Sequence, residues 1–110
     1  MSANPLDIYK EFDSKVIESY NRLEDLVFCE GALSPKSKVL IALAIDVEHG
    51  ALQGAMALGR RALKLGITKE EIIETLRVSY YVGGNRVLFT SAQVLQSLFK
   101  QEMRPNQQAL

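Results

Sequence analysis

Apolar side chains recur at helical spacing along most of the chain. The first stripe begins after Asn4-Pro5, where asparagine is a good N-cap and proline is tolerated in the first turn, and it ends at Gly31. Intervals of three and four residues place side chains on one face of a helix. We therefore predict helix here, as one helix or as two separated by a bend. The stripe consists of Ile8, Phe12, Val16, Tyr20, Leu23, Leu26 and Val27.

A second segment, residues 39–47, is apolar almost without interruption. Ser34-Pro35 ahead of it repeats the cap-then-proline signal, and His49-Gly50 ends it. A helix that is apolar on every side is buried by its neighbours. We therefore predict that this is the central helix of the fold.

A third helix is predicted over residues 51–65, followed by Gly66 as a C-terminal cap. Small side chains share one of its faces, and such a face lets another backbone approach closely. They are Ala51, Ala55, Gly59 and Ala62.

Two further helices follow. A capping box of Thr68 and Glu71 opens the first of them, which Gly83-Gly84 ends. Its apolar face contains Ile72, Ile73, Leu76 and Tyr80. Asn85 is suited to cap the last helix, and we expect an inward face of Val87, Leu88, Ser91, Val94, Leu95, Leu98 and Phe99.

The pattern predicts an all-α domain of five to six helices over residues 1–102, and residues 103–110 as a disordered tail. With 110 residues and 47% hydrophobic content the chain can form one core, although we expect so small a domain to draw part of its stability from subunit contacts. No convincing strand alternation is found in the sequence.

Composition narrows the classes of function. Thirteen basic residues balance thirteen acidic ones, so the basic footprint of a nucleic-acid-binding protein is missing. The longest apolar run is far shorter than the roughly 20 residues of a membrane span. The acidic residues Asp7, Glu11 and Asp13 argue against a signal peptide, and the single Cys29 excludes an internal disulfide or multi-cysteine metal site. We expect a cytoplasmic protein without metal.

Two segments resemble the carboxymuconolactone decarboxylase / alkylhydroperoxidase-D superfamily. Residues 31–45 (GALSPKSKVLIALAI) are similar to its Gly-x-Leu-[ST/D]-Pro-Lys-x-Lys-Glu-Leu-Ile-Ala-Leu-Ala segment. Residues 61–74 (RALKLGITKEEIIE) are similar to its Arg-Ala-Ala-x-x-Gly-[AV]-Thr-x-Glu-Glu-Ile-x-Glu segment. Each segment alone is weak, but their order and spacing together are specific, and the similarity covers roughly residues 5–100. An accidental likeness of an unrelated helical module is the weaker alternative.

The resemblance implies an alkylhydroperoxidase-D-like helical fold and a homo-oligomer, often a trimer or hexamer. Redox-active members combine a glutamate in the central helix, a Cys-x-x-Cys at the start of the next helix, and a histidine four residues later. A thiolate at a helix N-terminus is the nucleophile, and the second thiol resolves its oxidised form. Histidine and glutamate relay the proton.

In this chain none of these four positions retains the reactive residue. The glutamate position corresponds to Val39, the two cysteines to Ala51 and Gly54, and the histidine to Leu58. Cys29 precedes the central helix and has no second thiol to resolve it. We therefore reject thiol peroxidase chemistry. The decarboxylase branch needs neither the thiols nor a cofactor, but its members also place a histidine where Leu58 stands.

His49, the single histidine, is the candidate catalytic residue. It lies at the junction of the second and third predicted helices, where the superfamily has its site, and histidine readily changes charge near neutral pH. The alternative, which a lone histidine favours, is a structural residue bonded to a backbone carbonyl. Neighbouring helical residues do not face each other, so we expect Glu48 to be a solvated carboxylate rather than a partner of His49.

Three further residues are candidates for substrate binding. Gln53 lies one turn beyond His49, and its alternative is an ordinary surface position. Tyr80 can donate a hydroxyl hydrogen bond to a ligand, or pack in the core or at an interface. Arg86 can hold a carboxylate, or form a salt bridge between subunits.

Two functions remain open at this point. The first is a divergent, cofactor-free enzyme acting on a small organic acid or lactone as a decarboxylase or lactone-type lyase. The second is a non-catalytic homo-oligomer that binds a ligand or partner on the same scaffold. The second would leave the former site filled by Val39, Ala51 and Leu58.

Overall fold

The computed structural model describes residues 5–100, and these residues are all-helical, with no strand among them. The all-α prediction is confirmed. The proposed cap Asn4 and tail 103–110 lie outside the described residues. The elements of residues 5–100 are a 3-10 helix at Pro5–Ile8 and the helices α1 Tyr9–Phe12, α2 Ser14–Phe28, α3 Pro35–His49, α4 Leu52–Lys64, α5 Lys69–Gly83 and α6 Arg86–Phe99. They form two compact units that divide between Pro35 and Lys36.

In the first unit the helical stripe is interrupted at Asp13. The Asp13 carboxylate accepts a hydrogen bond from the backbone N–H of Val16 at 3.2 Å, which caps α2. The bend therefore precedes α2, because this side chain supplies a new helix start. Ile17 is the buried side chain of α2, whereas the seven residues of the predicted apolar stripe are all exposed.

Helix α3 is buried along one face only. Val39, Leu43 and Val47, spaced by four residues, are essentially inaccessible to solvent. On the opposite face Ile41 and Ile45 keep 48% and 51% of their surface exposed. The prediction of a helix buried on every side is therefore wrong for the single chain, because no described element of the second unit covers this second face.

Helices α4 and α6 pack closely through small residues. Ala55, Gly59 and Ala62 are buried on α4, as predicted, whereas Ala51 is exposed and precedes the helix. A Cβ placed on Gly59 would be 2.7 Å from Cδ1 of Leu98 on α6. Glycine is thus what permits this approach. On α6 the buried residues are Val87, Ser91, Val94 and Leu98.

The predicted helix ends are largely confirmed. Thr68 Oγ1 accepts the backbone N–H of Glu71 at 3.0 Å, and Glu71 Oε1 accepts the N–H of Thr68 at 2.8 Å, which forms the capping box. This backbone hydrogen bond lowers the pKa of Glu71. Gly66 follows α4 with a φ of +84°.

Two expectations for α6 are wrong. Asn85 precedes the helix but has helical backbone angles, and its side chain makes no capping hydrogen bond there. Leu88 was expected to face inward, yet half of its surface is exposed. Asn85 does not cap the helix because its backbone is already helical and its Oδ1 accepts the Tyr80 hydroxyl instead. Leu88 lies outside the buried face because it follows Val87 by about 100° around the helix.

We expect Gly59→Ala to destabilise the fold. Alanine gains up to about 1 kcal/mol in helix propensity, but overpacking in a close contact costs typically ~1–3 kcal/mol. Leu98 must move as a whole, because its Cδ1, Cδ2 and Cγ atoms would all lie within 3.3 Å of the new Cβ. Denaturant unfolding of Gly59→Ala, Leu98→Ala and the double variant measures the effect. Additive losses in that cycle would contradict the contact.

Candidate functional site

The ends of α3, α4, α5 and α6 carry the polar groups of the candidate site. After α3 the chain turns at Gly50, which adopts a φ of +75°, a conformation that glycine adopts without strain. The backbone N–H of Ala51 then donates to the carbonyl of Asp46 at 2.8 Å. The last turn of α3 is thereby held against the start of α4.

Glu48 on α3 forms an ion pair with Arg86 on α6. The Arg86 Nη2 group donates a hydrogen bond to Glu48 Oε2. The Glu48 side chain is only 26% exposed, so its expected role as a solvated carboxylate is wrong. It reaches Arg86 across Gly83, where an added Cβ would be 2.8 Å from Glu48 Cγ. A side chain at position 83 would therefore disturb the pair.

His49 lies beside this pair and faces solvent. Its Nε2 atom is 3.9 Å from Glu48 Oε1, too far for a hydrogen bond but within the range of an ion pair when the imidazole is protonated. The expectation that these adjacent helical residues do not approach each other is therefore wrong. The His49 side chain is 69% exposed, so solvent can exchange protons with it directly.

Asp46 is a residue of the site that the sequence interpretation missed. Its Oδ2 atom lies 2.5 Å from the position that a Cβ of Gly54 would take. Burial raises the pKa of the Asp46 carboxyl, and the smaller opposing effect is attraction to His49. The available signal was a carboxylate directly after the apolar run of α3, a position expected to be partly buried. We call Asp46, Glu48, His49 and Arg86 the junction cluster.

Of the four predicted site residues, the structure brings three to one region. His49 and Arg86 are joined through Glu48. The Tyr80 hydroxyl donates a hydrogen bond at 3.4 Å to Oδ1 of Asn85, the residue that precedes Arg86 in the sequence. Tyr80 is nevertheless 42% exposed. Gln53 is exposed in the first turn of α4 and does not take part in these contacts. The substrate roles of Gln53, Tyr80 and Arg86 and the catalytic role of His49 stay predictions.

The positions that correspond to the redox residues carry no reactive group. Val39 is fully buried, Leu58 is half-buried, and Gly54 lies under the Asp46 carboxylate. Ala51 is exposed, so the expectation that it fills the former site is wrong for the single chain. Cys29 is exposed in the first unit, where its thiol donates to the Leu26 carbonyl at 3.2 Å. Within residues 5–100, no three potential metal ligands are grouped.

Comparison with known proteins identifies one family. Residues 15–97 match the family model described as "Carboxymuconolactone decarboxylase family". The crystal structure of apo-lpg0406, a carboxymuconolactone decarboxylase family protein from Legionella pneumophila, superposes with a TM-score of 0.81 at 27% identity, covering 90% of this chain and 88% of that one. No curated protein sequence matches significantly. In the described part of the chain no helix is long and apolar enough to cross a membrane.

We expect the Glu48–Arg86 pair to contribute modestly to stability. Arg86 is 66% exposed, and exposed ion pairs typically contribute about 0–1 kcal/mol. Unfolding of Glu48→Gln, Arg86→Gln and the double variant gives the coupling free energy. We expect a coupling of roughly 0.5 kcal/mol in low salt that shrinks as salt is added. A coupling of zero in low salt would show that the pair does not persist in solution.

Proposed function

Because the chain belongs to the carboxymuconolactone decarboxylase family, we propose that it performs cofactor-free acid–base chemistry on a small organic acid or lactone. The observation that carries this proposal is the junction cluster. It places two carboxylates, an imidazole and a guanidinium at the meeting point of four helix ends. Such groups can transfer protons and bind an anion, which is what a decarboxylase or lactone-type lyase requires.

Arg86 is the anion-binding group of this proposal. Glu48 accepts a hydrogen bond from its Nη2 atom, and the Arg86 side chain as a whole is 66% exposed. A guanidinium has five N–H donors in a planar arrangement, so it can hold a carboxylate while it keeps one protein partner. Tyr80 and Gln53 are proposed as additional hydrogen-bond donors to the substrate, with Tyr80 close to Arg86 through Asn85.

The proposed chemistry is the replacement of a carboxylate by a proton. Loss of CO2 breaks a carbon–carbon bond, and its electron pair is delocalised into a neighbouring carbonyl as an enolate. The positive charge of Arg86 stabilises the developing oxyanion. A proton from the cluster then adds to carbon, and the cluster regains a proton from water through the exposed His49.

Thiol peroxidase chemistry is excluded from the proposal for a chemical reason. Hydroperoxide reduction by a dithiol needs a nucleophilic thiolate and a second thiol that forms the disulfide. The chain has one cysteine, and Ala51 and Gly54 occupy the two corresponding positions. The single Cys29 also fits a reducing, cytoplasmic environment, which is the location we propose.

Turnover of carboxymuconolactone, used as a probe substrate, tests the proposed function. We expect CO2 release that falls by roughly 10²-fold or more in His49→Gln. Arg86→Gln should raise KM, because it removes the anion-binding charge, and should also lower kcat, because the developing oxyanion loses its stabilising charge. Arg60→Gln, a change at an exposed arginine outside the cluster, is the matched control and should leave turnover unchanged.

The same samples test the excluded chemistry. With a hydroperoxide and a dithiol reductant, the wild type and Cys29→Ser should both show only the background rate. Absence of lactone turnover would contradict the enzymatic proposal, and full turnover in His49→Gln would contradict the role of His49 in proton transfer. Dithiol-dependent peroxide turnover would contradict the exclusion of thiol chemistry.

A non-catalytic, homo-oligomeric binding protein is the second candidate. The observation in its favour is the high exposure of His49, since a catalytic imidazole usually lies in an enclosed site. Both candidates include self-association as a trimer or hexamer. Large apolar side chains exposed in the second unit support that part, and they include Ile41, Ile45, Val78, Tyr81, Val82, Leu88 and Phe89.

Self-association can be tested on the uncovered face of α3. We expect the wild type to have the mass of a trimer or hexamer in solution, because an isolated chain would leave Ile41 and Ile45 in water. Ile41→Gln with Ile45→Gln should shift the mass towards the monomer, whereas Arg60→Gln should not. Light scattering coupled to size exclusion measures both. A monomeric wild type would refute this proposal.

A further inference from the structure

We propose that Asp46 is the group that gives the proton to the substrate, and that Gly54 positions it. The inference rests on the proposed function and deepens it. It assigns the proton-donating step to a carboxyl, with the exposed His49 as the group that returns the proton from water. The geometry of the α3–α4 junction supplies the argument.

The local backbone brings the Asp46 carboxyl beside the start of α4. The Asp46 carbonyl accepts the N–H of Ala51 at 2.8 Å, which brings α4 back along the last turn of α3. The carboxyl then lies over the first turn of α4, with Oδ2 2.5 Å from the Cβ position of Gly54. Only glycine lacks the atom that would occupy this space.

This position is where redox-active relatives are expected to carry their second cysteine. A cysteine side chain at position 54 and the Asp46 carboxyl cannot occupy the same volume. The Asp46 carboxyl therefore occupies the volume that a side chain at position 54 would take, although Asp46 belongs to the preceding helix α3. A site that has a carboxyl instead of a dithiol at this point can still perform acid–base chemistry.

The surroundings favour the protonated form of Asp46. Desolvation raises its pKa, and His49 on the same helix opposes this by Coulombic attraction. The first turn of α4 presents the uncharged residues Leu52, Gln53 and Gly54. From α6, Arg86 is paired with Glu48. The Asp46 pKa is therefore shifted upward relative to an exposed aspartate, which is the direction that a general acid requires.

The proposed step is balanced. The substrate carboxylate leaves as CO2, and the electron pair of the broken carbon–carbon bond passes into the enolate. The Asp46 O–H bond breaks, its proton bonds to the substrate carbon, and Asp46 becomes a carboxylate. Water returns a proton to Asp46 through His49.

The linkage between protonation and stability gives a readout independent of turnover. A carboxyl whose pKa is raised in the folded state stabilises the fold below its unfolded pKa, and this contribution is lost as pH rises through the folded pKa. Asp46→Asn should therefore be more stable than the wild type at neutral pH, and the difference should vanish in acid. Asp25→Asn, an exposed aspartate of α2, is the matched control.

The experiment compares wild type, Asp46→Asn, Gly54→Ala and Asp25→Asn by carboxyl-carbon NMR titration and by carboxymuconolactone turnover. Gly54→Ala should fold normally, since only the end of one side chain must move aside and alanine favours helix by up to about 1 kcal/mol. We expect its Asp46 to titrate closer to an ordinary aspartate. Turnover should fall roughly 10²- to 10⁴-fold in Asp46→Asn, with KM little changed. Gly54→Ala should lose part of the same factor.

The outcomes separate this inference from the proposed function. Wild-type turnover in Asp46→Asn would overturn the inference and leave an acid–base enzyme that uses another donor. An inactive wild type would refute the proposed function and, with it, the donor role of Asp46. The role of Gly54 would then be decided by titration alone, and identical Asp46 titration in wild type and Gly54→Ala would overturn it.

Discussion

The approach of α4 to α6 at Gly59 is the contact on which the second unit depends. Leu98 occupies the space that any larger residue at position 59 would fill, and Ala55 and Ala62 extend the same shallow face. Close packing over small residues allows α6 to bury Val87 and Val94 completely. Since α6 begins at Arg86, the same contact fixes where that guanidinium enters the site.

In the polar site, too, glycines make room for side chains of a neighbouring helix, and here those side chains are acidic. Gly54 receives the carboxyl of Asp46, and Gly83 receives the stem of Glu48. Both acids belong to the last turn of α3, and Ser79 of α5 further ties this helix by donating to the Ala44 carbonyl at 2.9 Å. The glycines of α4 and α5 thus leave the space in which the carboxylate side chains of α3 lie.

The helices were predictable because their signals are local. The capping box at Thr68, the small residues of α4 and the cap-then-proline sequence before α3 each specify structure within a few residues. The covered face of α3 was not predictable, since an apolar helix contains no information on how many of its sides the same chain covers. The Glu48–Arg86 pair joins residues 38 positions apart, and the Asp46 contact requires the α3–α4 turn. Such contacts depend on tertiary geometry that residue spacing cannot supply.

The complete burial of Val39 makes a dithiol site of the redox-active kind difficult to introduce into this chain. A glutamate introduced there would place a charge in an apolar interior, and an unpaired buried carboxylate costs several kcal/mol. Its natural partner would be a histidine at position 58, where leucine now stands, and a thiol at position 54 would first have to displace Asp46. Each of these substitutions alone is penalised until the others are present. Because the penalties depend on one another, this scaffold accepts changes among its exposed charged residues more readily than the stepwise introduction of a dithiol site.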